Sequence, residues 1–68
     1  MSVQEKFVRG YCKAHGINCR IYTCGERKEL RIWSPITRKY ATAVFDILTK
    51  GINEIRTDIE RHIAVFIP

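Results

Sequence analysis

Four side chains that could ligate a metal ion fall within a short stretch of the sequence. They are three cysteines and a histidine in the spacing C-x2-H-x3-C-x4-C: Cys12, His15, Cys19 and Cys24. Thiolate and imidazole groups of this kind bind zinc tetrahedrally. However, Cys19 and Cys24 fall in one predicted strand, about 16 Å apart if it is extended, and on its opposite faces. We therefore predict no metal and no cofactor, with Cys19 in the core and Cys12 and Cys24 partly exposed.

The same residues do not form a catalytic constellation. Cys12 and His15 are close enough on a helix to make a thiolate–imidazole pair, but the sequence indicates no third group to orient the imidazole and no oxyanion hole. It also has no paired carboxylates, phosphate-binding glycine loop or nucleotide-binding fingerprint. The sequence predicts a protein that is not an enzyme.

A second group of residues has the types that bind nucleic acid. Arginine and aromatic residues alternate with apolar ones along two predicted strands, residues 17–24 and 28–33. If the apolar residues pack under helices, four side chains share the opposite face: Arg20, Tyr22, Arg31 and Trp33. Aromatic rings stack on unpaired bases, and arginines neutralise phosphates. The pattern predicts a platform for single-stranded nucleic acid. Neighbouring basic residues would extend its positive field: Arg27, Lys28, Arg38 and Lys39.

Two other interpretations suit the same side chains. Tryptophan, tyrosine and arginine are enriched at protein interfaces, and arginine stems also cover aromatic rings on ordinary solvent-exposed sheets. The predicted function is a small basic factor that binds single-stranded RNA or DNA, or regulates through it. The alternative is an accessory protein that binds and inhibits or adapts a larger protein.

Charge and hydropathy limit the class of protein. The net charge is +5, with +6 in residues 1–40 and −1 in residues 41–68, which indicates a basic surface beside a packing surface. No apolar run approaches the roughly 20 residues that span a bilayer, and the first ten residues lack the apolar segment of a signal peptide. Three cysteines are too few, and odd in number, for a secreted disulfide scaffold. We expect one small basic domain over residues 1–68, cytoplasmic and without a membrane partner.

The elements that would position these residues begin with a helix and a hairpin. Ser2 and Glu5 have the spacing of a capping box, an apolar stripe follows to residue 14, and Gly16 suits a helix end. The hairpin turns near residues 25–27. We expect a register in which Ile21 faces Ile32, because a slip of one residue would mix the two faces.

The second half of the chain predicts another helix and a final strand. Ser34 and Pro35 have the form of a helix start, apolar residues recur at helical spacing from 36 to 48, and Gly51 closes the pattern. Residues 53–61 fit a helix and a strand equally well. Residues 62–67 are apolar and β-rich and favour a strand.

The resulting fold is α+β in the order α-β-β-α-(α)-β. Two or three helices would cover one face of a small, three-stranded, mostly antiparallel sheet, with the last strand beside the first. This order is similar to that of type II KH-like and BolA-like domains. The Gly-x-x-Gly loop of KH domains is missing, because only Gly51 stands between the candidate helices. The similarity therefore concerns topology alone.

The last predicted strand is apolar on both faces. A domain of this size buries only about 60% of the surface of its unfolded chain, and pairing two copies along an exposed strand would bury more. We therefore expect a homodimer whose interface is formed by the final residues: Ile63, Val65, Phe66 and Ile67.

Overall fold

Residues 2–64 of the chain are described by a computed structural model, in which helices α1 (Val3–Ala14) and α2 (Ile52–Ile63) flank three strands. The strands are β1 (Cys19–Cys24), β2 (Arg27–Ser34) and β3 (Lys39–Val44), followed by one turn of 3-10 helix at Ile47–Thr49. They form an antiparallel sheet in the order β1-β2-β3. The predicted α+β class is confirmed. The predicted order of elements is wrong after β2, and the similarity in topology to KH-like and BolA-like domains does not hold.

The core lies between the two helices and one face of the sheet. Helix residues enter it in pairs four positions apart, and strand residues two positions apart, as the helical and pleated periods require. Eight side chains are at most 1% exposed: Val8, Cys12, Leu30, Ile32, Val44, Ile47, Ile55 and Ile59. Full burial of one large aliphatic side chain contributes about 1.5–3 kcal/mol. This layer therefore sets which face of every element points inward.

Helix α1 begins and ends where its sequence predicts. The Ser2 hydroxyl accepts a hydrogen bond from the Glu5 backbone N–H at 3.1 Å, which satisfies one of the unpaired donors of the first turn. Gly16 follows the helix with a φ of 65°, a conformation that glycine adopts at little cost. Val8 and Cys12 then carry the buried face of the helix.

The hairpin forms, but its register differs from the expected one by two residues. Cys24 pairs with Arg27 across a two-residue turn, and Ile21 pairs with Leu30 rather than with Ile32. Gly25 has a φ of 64° and Glu26 has no positive φ, the pattern of a type II′ turn. Because side chains alternate with a period of two, this shift leaves each residue on its predicted face.

The predicted helix over residues 36–48 is wrong, although its start signal acts locally. The Ser34 hydroxyl accepts a bond from the Thr37 N–H at 3.4 Å, and the Ser34 carbonyl accepts one from the Arg38 N–H at 2.8 Å. One helical turn therefore forms. Arg38 then adopts a φ of 57°, the chain reverses, and β3 pairs with β2 from Lys39 onward.

The predicted strand at residues 62–67 is wrong where the structure describes it. His62 and Ile63 belong to α2, whereas Val65, Phe66 and Ile67 lie outside the described residues. Apolar positions four apart place Ile55 and Ile59 in the core, which resolves residues 53–61 as helix. Ile63 packs against that core and not along a sheet edge. No helix within residues 2–64 is long and apolar enough to cross a membrane.

Two glycine substitutions should change stability in opposite directions. Gly10→Ala places a methyl group on α1 where nothing lies within 4 Å, and it should stabilise the protein by about 0.5–1 kcal/mol through helix propensity. Gly25→Ala forces a Cβ into the left-handed region and should destabilise it by about 1–2 kcal/mol. Urea unfolding of the three proteins measures both effects. A Gly25→Ala protein as stable as the wild type would contradict the turn geometry.

Candidate functional site

The sheet face turned away from the helices carries almost all of the large polar and aromatic side chains of the strands. We call it the outer face and define it by these residues: Arg20, Tyr22, Arg27, Glu29, Arg31, Trp33, Tyr40 and Thr42. The sheet register places Arg31 between Arg20 on β1 and Thr42 on β3, and it places Trp33 beside Tyr40. The outer face is therefore one continuous surface across three strands.

A buried carboxylate lies at the centre of this face. Glu29 is 4% exposed, and it accepts hydrogen bonds from Arg27 Nη1 at 2.7 Å, from Thr42 Oγ1 at 2.9 Å and from Arg31 Nε. The bonds from Arg27, Arg31 and Thr42 lower the pKa of Glu29 from 4.5 to about 2, although burial opposes the change. A carboxylate so bonded stays ionised and holds both arginines in place.

Each of the two arginines also covers an aromatic ring. The Arg31 guanidinium carbon lies 4.6 Å from the centre of the Tyr22 ring, and that of Arg27 lies 3.9 Å from the Phe45 ring. Arg27 Nη1 also donates to the Phe45 carbonyl at 3.2 Å. Arginine thus binds the central carboxylate and a ring at once, which its planar delocalised group allows and a lysine would not.

Arg20 has a different environment from Arg27 and Arg31. Its guanidinium carbon lies 4.7 Å from the centre of the Tyr40 ring, and hydrogen bonds with Tyr22 and Tyr40 raise its pKa. Tyr40 in turn packs edge-on against Trp33 at 5.3 Å between ring centres. Among residues 2–64, Arg20 forms no ion pair with a carboxylate. Arg20 is also exposed to solvent.

The structure brings together five of the eight basic and aromatic residues predicted for a binding surface. Those on the outer face are Arg20, Tyr22, Arg27, Arg31 and Trp33. Lys28 is not among them, because it alternates with the outer residues of β2 and its ammonium donates to the Thr23 hydroxyl at 2.6 Å. Arg38 and Lys39 are exposed where the chain turns from β2 into β3, beyond Trp33 and Tyr40. Arg38 belongs to the turn, whereas Lys39 begins β3, pairs with Ser34 and alternates with the outer residue Tyr40. Neither residue is part of the outer face.

Sequence reasoning missed four residues of the site: Glu29, Tyr40, Thr42 and Phe45. The signal for Glu29 was present, because it alternates with Arg27 and Arg31 and must share their face. Tyr40 and Thr42 were assigned to a helix, and no local pattern outweighed the start signal at Ser34. Phe45 follows β3 and is 64% exposed, so its role under Arg27 depends on the tertiary arrangement.

The prediction for the cysteines is confirmed for Cys24, which is partly exposed, and is wrong for Cys12 and Cys19. Cys12 is 1% exposed and belongs to the core, whereas Cys19 and Cys24 are half-buried. A hydrogen bond between the Cys12 and Cys19 thiols lowers the pKa of Cys19, with help from Arg9, and raises that of Cys12 together with burial. No group of three or more His, Cys, Asp or Glu side chains within residues 2–64 is arranged to hold a metal ion.

Charge is distributed unevenly along the chain. Residues 2–34, which form α1, β1 and β2, carry seven Lys or Arg and three Glu, a balance of +4. Residues 39–64, which form β3 and α2, carry four of each sign and balance to zero. Three exposed cations also lie on the side of α1 opposite its buried face: Lys6, Arg9 and Lys13. The excess of positive charge is therefore carried by α1, β1 and β2.

Comparison with protein-family models, with curated proteins and with solved structures finds no significant match for this chain.

The bonding of Glu29 predicts a specific loss of stability in acid. Because its pKa in the folded protein lies below 4.5, its contribution is complete above that pH and is lost as the pH falls toward 2. Glu29→Gln should lose less stability than the wild type between pH 6 and pH 3. Urea unfolding at both pH values measures the difference, and NMR titration of the Glu29 carboxyl checks the cause. Equal acid sensitivity of the two proteins would contradict this assignment.

Proposed function

We propose that this protein binds single-stranded RNA or DNA through its outer face, as a small basic binding or regulatory factor. The observation that carries the proposal is the arrangement of arginines over aromatic rings: Arg20 on Tyr40 and Arg31 on Tyr22. These stacks lie side by side across three strands. We place the activity in the cytoplasm, where the three free thiols remain reduced.

The stacked guanidinium groups offer two kinds of contact to a nucleic acid. An unpaired base can stack on the outward plane of a guanidinium group. It can also stack on an aromatic ring that is exposed when the guanidinium group moves away. The N–H groups at the edge of the same guanidinium can donate to phosphate oxygens. Arg20 is the best placed for this role because no carboxylate competes for it among residues 2–64.

The central carboxylate supports binding by ordering its neighbours. A flexible arginine loses rotamer freedom when it binds a ligand, and this ordering costs free energy. Glu29 already fixes Arg27 and Arg31 through hydrogen bonds, so that cost falls on folding and not on binding. The outer face carries three arginines and one carboxylate, that of Glu29, and its net charge is therefore positive.

The distribution of charge supports the same surface. The two strands that supply most of the outer face, β1 and β2, carry four Lys or Arg and one Glu. A polyanion is attracted to such a region before any specific contact forms. The balanced charges of β3 and α2 give no comparable attraction.

Binding should be salt-dependent and should require Arg20. Fluorescence anisotropy with a labelled single-stranded oligonucleotide should give a log–log slope against salt near −0.7 for each phosphate contacted. Arg20→Gln should weaken binding and reduce this slope. The matched control is Arg61→Gln, which removes one exposed arginine from α2 and should leave the affinity close to that of the wild type.

Three results would contradict the binding of single-stranded nucleic acid through the outer face. Absence of binding to single-stranded RNA and DNA at low salt would overturn it and leave the protein-partner alternative. Equal losses for Arg20→Gln and Arg61→Gln would indicate binding to net charge and not to the outer face. Tighter binding to a duplex than to a single strand would contradict the preference for unpaired bases.

Stacking is tested separately through Tyr22. Tyr22→Ala removes the ring under Arg31 and should weaken single-strand binding by about 1–3 kcal/mol for each base stacked there. Trp33 fluorescence should change on binding in the wild type, because its ring lies on the same face. Val3→Ala, at a residue 66% exposed on α1, is the control. If both variants bind as the wild type does, the outer face is not a stacking platform.

A further inference from the structure

Strand β1 forms one edge of the sheet. Half of the backbone N–H and C=O groups of β1 point away from β2 and out of the sheet. The Trp33 N–H donates to the Asn18 carbonyl at 2.9 Å, so residue 18 makes a hydrogen-bonded pair with β2. Such pairs alternate along an antiparallel ladder, and even-numbered residues of β1 therefore point their backbone groups toward β2. The N–H and C=O groups of the odd-numbered residues point outward: Cys19, Ile21 and Thr23.

This edge has none of the usual features that prevent strand pairing. Within residues 2–64, no backbone hydrogen bond from another element covers Cys19, Ile21 or Thr23. The strand has the sequence CRIYTC, with no proline and one charged residue, and its pairing with β2 is continuous, without a bulge. Proteins that have an exposed edge strand and remain monomeric typically carry a lysine, a proline or a β-bulge on that strand. Strand β1 is therefore open to a further strand.

We propose that β1 pairs with β1 of a second copy of this chain, antiparallel and centred on Ile21. In this register Ile21 faces Ile21 of the second copy, and Cys19 faces Thr23. Each of these residues donates one backbone bond and accepts one. Ile21 is half-buried at the edge of the core in one chain, and pairing would cover it. The two sheets would join into one of six strands.

The side chains on the outer face complement each other in this register. Arg20 faces Tyr22 of the second copy in a pair without backbone bonds, where side chains approach most closely. An arginine beside a tyrosine ring is attractive. A shift of two residues in either direction would reduce the hydrogen-bonded pairs among Cys19, Ile21 and Thr23 from three to two. One of these shifts would also oppose Arg20 to Arg20, which is repulsive. Charge complementarity thus favours a second copy in the register centred on Ile21.

This surface differs from the C-terminal interface expected from sequence, and it does not depend on the proposed binding of nucleic acid. Its backbone bonds are made by Cys19, Ile21 and Thr23, which lie off the outer face, whereas Arg20 and Tyr22 belong to both surfaces. Mass and amide exchange measured without nucleic acid therefore report pairing alone. If both properties hold, the dimer would present two outer faces side by side on one sheet.

Sedimentation equilibrium over a concentration series up to millimolar tests the pairing. The wild-type mass should rise toward that of two chains. Tyr22→Arg should remain a monomer because it places a second cation opposite Arg20 of the other copy. The double substitution Arg20→Glu with Tyr22→Arg should restore the dimer, because a glutamate then faces an arginine across the interface. The control is Thr57→Arg, the same added charge on α2, which should dimerise as the wild type does.

Amide hydrogen exchange of the wild type provides a test without substitutions. In dilute protein the N–H groups of Cys19, Ile21 and Thr23 should exchange rapidly, and those of Arg20 and Tyr22 slowly. Raising the concentration should slow only the first set. A wild type of one-chain mass at every concentration would overturn the proposal. So would concentration-independent exchange, or a double variant that stays monomeric while folded.

Discussion

Helices cover one face of the three-stranded sheet, and the other face must therefore be stable in contact with water. A chain of this size has no further element among residues 2–64 to cover it. The outer face solves this with side chains that are apolar on one side and charged on the other. Arginine stems and guanidinium planes lie over the rings of Tyr22, Tyr40 and Phe45, which shields the rings and keeps charge at the surface.

Glu29 is the residue on which this arrangement depends. A carboxylate buried without partners would be strongly unfavourable, but Glu29 accepts bonds from two arginines and a threonine on β3. The bond from Thr42 connects β3 to β2, and the bonds from Arg27 and Arg31 hold these arginines beside their rings. Stability and the proposed binding surface therefore share one set of contacts, and the depressed pKa of Glu29 is the physical sign of that sharing.

The sheet presents two chemically different surfaces for association. The outer face offers arginine and aromatic side chains, which suit phosphates and bases. The edge of β1 offers unpaired backbone groups, which suit another strand. Residues Arg20 and Tyr22 belong to both, because β1 is at once an edge strand and a part of the outer face. A second copy paired along the edge of β1 would therefore place its own charged side chains beside the outer face.

The sequence alone determined those features that depend on local periodicity. It located α1 through its cap and stripe, and it assigned Arg20, Tyr22, Arg31 and Trp33 to one face. That assignment survived an error of two residues in the register, since a pleated strand repeats every two residues. It also contained the position of Glu29 between two arginines, although not its burial.

Only the tertiary structure decided the course of the chain after Ser34. The cap and proline there do form one helical turn, as their local chemistry requires, but pairing with β2 and burial of Val44 prevail over helix propensity from Lys39 onward. Such pairing joins residues distant in sequence, and no short window contains it. For the same reason, the predicted site lacked Tyr40 and Thr42. Residues 62 and 63 likewise belong to a helix that packs on the sheet and not to a strand within it.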